Sequence, residues 1–121
     1  WTRGLAAMDL PARHGEGKFL ASEATLGRLR EQHQIVARYL GADGAPTQAW
    51  PQNPNGSPDA IAGICDPSGR LFGLMPHPDA FLYPFHHPDW ARRRALGSVP
   101  ERGDGLAIFQ NGVDAAAAAL G

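Results

Sequence analysis

The sequence predicts an α/β fold. Three observations lead there: two segments with helical periodicity, a β-rich segment after the first, and two short apolar runs joined by turn residues. Residues 1–13 hold Trp1, Leu5, Met8, Leu10 and Pro11 without a period and read as an irregular lead-in to a short strand. His14-Gly15-Glu16-Gly17 is a glycine-bracketed turn, and Lys18–Ala21 reads as a strand leaving it. Ser22 is placed to cap a helix from Glu23 to about His33, with Leu26 and Leu29 on one face and Arg28, Arg30 and Glu31 on the other. Gln34–Leu40 is β-rich and reads as a strand.

Residues 41–58 are dense in Gly, Pro, Asn and Gln and form a long loop. Ile61–Cys65 and Arg70–Met75 are apolar, and Asp66-Pro67-Ser68-Gly69 between them carries turn chemistry, so the pair is a β-hairpin. Residues 76–104 are again loop-like, with a basic stretch from Trp90 to Arg94. Leu106, Phe109, Val113 and Leu120 recur at helical spacing, which predicts a terminal helix over 105–120. The alanine run inside it is strong helix former.

With 121 residues, the chain fits one domain or part of one. A hydrophobic content of 43% is enough for a core, which at this length buries roughly two-thirds of the unfolded surface. A net charge of -1 gives no pull toward nucleic acid or an anionic membrane, so neither is expected as a partner. The longest apolar run, Ala115–Leu120, is far shorter than the roughly 20 residues that span a bilayer, and no secretory pattern opens the chain. A single cysteine, Cys65, rules out an internal disulfide and fits a reducing compartment. The expectation is a soluble, cytoplasmic protein. Because it opens on Trp1, it is either processed or part of something longer.

Four constellations could carry chemistry. His77-Pro78-Asp79 sets an imidazole two residues from a carboxylate, directly after an apolar strand. A base working near neutral pH needs an imidazole, and the carboxylate fixes its tautomer and stabilises its charged form; the alternative is a turn that merely ends the strand. The two glycines beside Glu16 let backbone N–H groups approach a ligand carboxylate, or mark a solvent-facing turn. Phe85-His86-His87-Pro88-Asp89-Trp90 has the composition of a metal site, yet adjacent histidines on extended backbone point to opposite faces, which favours a structural loop. Cys65 sits in Gly63-Ile64-Cys65, but a nucleophile elbow runs strand–turn–helix and here a hairpin follows. Cys65 therefore reads as a buried strand residue. Asn53-Pro54-Asn55-Gly56-Ser57-Pro58 reads as a turn cluster and no more.

Three motifs in order, Leu10–Phe19, Asn53–Ile64 and Gly73–Pro78, resemble the glutaminase domain of phosphoribosylformylglycinamidine synthase, a class I triad glutamine amidotransferase. The resemblance covers nearly the whole chain. It implies a flavodoxin-like α/β sandwich, of which this chain would be the C-terminal portion, with the hairpin and the final helix. It maps the triad histidine onto His77 and the acid onto Asp79, and sets the Gly15-Glu16 turn against substrate. Full-length members would be roughly twice as long, still one domain by length. Their nucleophilic cysteine lies on an elbow upstream of everything seen here, so residues 1–121 would be a partial domain without the nucleophile-bearing part. Asp79 stands where the family has glutamate, a reach shorter by about one C–C bond, ~1.5 Å.

The resemblance implies glutamine as substrate, ammonia delivery to a synthetase subunit, and no metal, nucleotide or other cofactor for the glutaminase itself. It also implies that this chain alone is inactive. Two other readings stand beside it: a metal-dependent hydrolase using His77, Asp79, His86, His87 and Asp89, and a non-catalytic module kept for binding the synthetase.

Overall fold

The computed structural model spans Trp1–Gly121 and describes every residue except His14 and Glu16. The chain divides into two compact units, one of Ala12–Pro76 and one of Trp1–Pro11 with His77–Gly121.

In the unit Ala12–Pro76, helix α1 (Glu23–Glu31) begins where the sequence places it, with the Ser22 hydroxyl accepting the Thr25 N–H. Glu23 in the first turn and Arg28 and Arg30 in the last complement the helix dipole. Leu26 and Leu29 are its buried face. The helix stops two residues short of the expected His33, because His33 adopts a left-handed φ of 53° and turns the chain toward the sheet.

Strands β1 (Ile35–Arg38), β2 (Ile61–Cys65) and β3 (Phe72–Leu74) form an antiparallel sheet in the order β1-β2-β3. The expected hairpin is β2–β3, with Gly63 opposite Leu74 and Cys65 opposite Phe72. Its turn is built by Asp66, whose carboxylate accepts from the Ser68 hydroxyl (2.6 Å) and the Leu71 N–H (2.9 Å), while Gly69 supplies a φ of 70°. Tyr39, Ala60 and Ala62 form the core of this unit, with Ala37 and Met75 packed against it.

One expectation fails here. Among the described residues, Lys18–Ala21 pairs with no strand. Its Phe19 N–H goes to the buried Ser57 hydroxyl at 3.3 Å, so a side chain takes the place of a ladder partner. Likewise, the described residues of the lead-in, Trp1 through Arg13, hold no strand.

The other unit is organised around helix α3 (Gly105–Leu120), which has the expected bounds. Ile108 is its most buried side chain and Phe81 is buried in the same unit. The α3 residue Asn111 donates to the carbonyls of both Trp1 and Arg3, and Trp1 lies over Gly112, where a Cβ would stand 2.4 Å from the indole ring. Residues 76–104, expected to be loop, carry two 3₁₀ turns (Pro78–Ala80 and Pro84–His86) and helix α2 (Trp90–Ala95). Each 3₁₀ turn opens on a proline, which tolerates the first helical position because its missing N–H is not needed there. Stacked Tyr83 and Phe85 rings, 5.3 Å between centroids, order the second. Among the described residues no helix is long and apolar enough to cross a membrane.

Candidate active site

The chain leaves β3 at Leu74 and reaches His77 three residues later. Pro78 disfavours helical backbone before it, and His77 is extended, with φ −103° and ψ 96°. Pro78–Ala80 then coils into the first 3₁₀ turn, which carries Asp79 back toward the imidazole. Nδ1 of His77 and Oδ1 of Asp79 are 3.7 Å apart, an ion-pair separation but longer than a hydrogen bond. The side chains are 42% and 68% exposed, so both the ring and the carboxylate are open to a reactant.

The backbone of this pair is held firmly. The His77 N–H donates to the Pro11 carbonyl at 2.8 Å, and the Ala80 N–H returns to the His77 carbonyl. From the other side, the Gly103 N–H donates to Leu82 and the Gly105 N–H to Phe81. Both glycines are needed for this approach: a Cβ at Gly103 would lie 2.3 Å from the Phe81 oxygen. An exposed, chemically capable pair thus rides on a fixed backbone.

Of the proposed substrate turn, Gly15 sits in a bend of the unit Ala12–Pro76, and Glu16 lies outside the described residues. The segment leaving the turn is anchored by the Asn53–Pro58 loop. Asn55 donates to the Gly17 carbonyl, and Ser57 receives the Phe19 N–H. Asn53, 2% exposed, donates to the Thr47 and Ser57 carbonyls and accepts the Ser57 N–H, so nearly its whole amide is satisfied inside the protein. The loop ends in two non-glycine residues with left-handed φ, Asp59 at 54° and Ala60 at 56°. Such backbone persists only where its surroundings impose it. Here Arg30 grips the Asp59 carboxylate at 2.6 Å, and Arg38 donates to the Asp59 carbonyl. The Arg30 guanidinium also holds the Asp59 carboxyl below the usual aspartate range. From sequence this stretch reads as a turn cluster; in the structure it is a buried polar strut. The repeated Asn and Ser, both able to bond local backbone, were the available signal.

The histidine-rich stretch has its own partners. His86 Nδ1 accepts the Leu82 N–H, and Asp89 pairs with Arg92. His87 is engaged at both ring nitrogens, by Asp9 and by the Asp89 N–H. Among the described residues no three His, Cys, Asp or Glu side chains gather as a metal site would require. Cys65 is the half-buried last residue of β2 and leads into the hairpin turn. A hairpin turn and strand β3, not a helix, follow it.

Residues 1–114 match the CobB/CobQ-like glutamine amidotransferase domain. The chain is similar to the phosphoribosylformylglycinamidine synthase subunit PurQ of Methanococcus maripaludis, with 40% identity across 94% of this chain and 44% of the relative. The same-named subunit of Dehalococcoides mccartyi is 42% identical across 93% of this chain and 41% of its own length. That of a Synechococcus species is 50% identical across 61% of this chain. The chain spans less than half the length of the relatives it matches. With an α/β sheet, a terminal helix and a family match over nearly its full length, this chain belongs to the CobB/CobQ-like glutamine amidotransferases.

Proposed function

We propose that this chain forms the histidine- and acid-bearing portion of a glutamine-hydrolysing subunit that feeds ammonia to phosphoribosylformylglycinamidine synthase, in a cytoplasmic setting. The observation that carries this reading is the exposed His77–Asp79 pair, 3.7 Å apart on a clamped 3₁₀ turn, in a chain of amidotransferase family. The nucleophile is not Cys65, which ends a hairpin strand; it comes from chain outside these residues.

In this mechanism a cysteine thiolate attacks the side-chain amide carbon of glutamine. As the C–N bond breaks, the protonated His77 ring gives its proton to the departing nitrogen, releasing ammonia. Neutral His77 then takes a proton from water, whose oxygen attacks the thioester carbon. The C–S bond breaks, giving glutamate and restoring the thiolate. Asp79 orients the ring and stabilises its charged form. The family resemblance assigns the Gly15-Glu16 turn to the glutamine backbone, and the synthetase subunit receives the ammonia.

The test is ammonia release from glutamine by the complete amidotransferase. His77→Ala is expected to abolish it; wild-type turnover in that variant would remove His77 from the reaction.

A further inference from the structure

His87 lies in a stretch that looks like surface loop, yet its side chain is only 9% exposed. Its ring packs on the buried Phe81 with centroids 5.5 Å apart. Nδ1 accepts the Asp89 N–H at 3.0 Å, so that nitrogen carries no proton. The ring is therefore the neutral form protonated at Nε2, and Nε2–H donates to the Asp9 carboxylate at 2.9 Å. Asp9 is bound a second time, by its own N–H to the Asp104 carboxylate at 2.8 Å. Two residues on, the Pro11 carbonyl accepts the His77 N–H.

We propose that His87 and Asp9 are a positioning pair for His77: they fix the segment whose Pro11 carbonyl holds the backbone of the reacting imidazole. Neither touches the reacting atoms. The pair sets where the His77 ring starts from, and a displacement of about 1 Å at a reacting group lowers rates by up to about a hundredfold. The strength lies in geometry. His87 is locked by three neighbours, so it transmits the position of the Phe81 core to Asp9. This inference rests on the reading of His77 as the acid–base residue.

The experiment compares variants of the complete amidotransferase by glutamine turnover and by the NMR signal of the His77 ring. His77→Ala tests the underlying reading: if it keeps full activity, that reading fails and the positioning role with it. With His77→Ala inactive, His87→Phe is expected to lower kcat roughly ten- to a hundredfold with KM little changed, and to shift the His77 ring signal. His87→Gln, whose amide N–H reaches the Nε2 position, is expected to recover most of the loss. Asp9→Ala removes an exposed carboxylate without emptying the core, so it reports even if His87→Phe does not fold; it should lower kcat and move the same signal. Wild-type kcat in Asp9→Ala, or a kcat loss with an unmoved His77 signal, would overturn the positioning role while leaving His77 as the base.

Discussion

Gly105 stands against the backbone of Pro78: a Cβ built on it would lie 1.9 Å from the Pro78 carbonyl oxygen. That oxygen belongs to a main chain already bonded on both sides, so the neighbour has little room to give. Gly105→Ala is expected to destabilise the protein by roughly 1–3 kcal/mol, the usual range for overpacking. It should also displace the His77–Asp79 turn. Denaturant titration reads the first effect. An Ala variant with unchanged midpoint would mean that α3 slides freely at its amino end.

In the proposed site Asp79 is the shorter of the two acids that could serve, and its 3.7 Å separation from His77 is longer than a hydrogen bond. Exposed ion pairs contribute about 0–1 kcal/mol. Asp79→Ala should therefore lower kcat by no more than about tenfold. Asp79→Glu should equal or exceed the wild type, since the longer side chain closes the gap. Steady-state glutaminase kinetics on the complete enzyme decide it, and a Glu variant slower than Ala would exclude Asp79 as the orienting acid.

Asn53 is expected to matter more for stability than any exposed residue of its loop. Asn53→Ala strands the Ser57 N–H in a buried site and removes two further bonds. Leaving buried polar groups unpaired costs about 1–3 kcal/mol each, so a loss of about 3 kcal/mol is expected by urea denaturation. Neighbouring Asn55 is only part-buried, and Asn55→Ala should be clearly milder.

The hairpin turn predicts a pH dependence. The Ser68 hydroxyl first, then the Leu71 N–H, hold the Asp66 carboxyl down to about 2, against an ordinary value of 3.8. The folded value is the depressed one. The turn's contribution is thus fully present above 3.8 and is lost as pH falls toward about 2. Asp66→Asn should melt lower than wild type at pH 7, and the difference should shrink at pH 2. A difference in Tm that did not change with pH would show that the carboxylate charge has no part in the turn.

Local signals were legible in the sequence and distant pairings were not. The Ser22 cap, the leucines of α1, the Asp66–Gly69 turn and the periodicity of α3 each involve residues a few positions apart, and each element forms where its chemistry indicates. Lys18–Ala21 had strand composition but no ladder partner, and a hydroxyl 38 residues away took the Phe19 N–H. Helix α2 has six residues, too few to display a period. His87 read as a loop histidine because its partner, Asp9, is 78 residues earlier. The His77–Asp79 spacing was visible as a motif, whereas the clamp of Pro11, Gly103 and Gly105 around it was not.

The division of the chain has a consequence for synthesis. Residues 12–76 emerge as one uninterrupted piece and can assemble their sheet as soon as β3 is made. The unit of Trp1–Pro11 with His77–Gly121 draws on two segments far apart in sequence, and its Asn111 bonds to Trp1 and Arg3 close loops of 110 and 108 residues. Such contacts must meet their loop-closure entropy before they contribute. The β1-β2-β3 sheet is therefore expected to form ahead of the contacts that join α3 to Trp1 and Arg3.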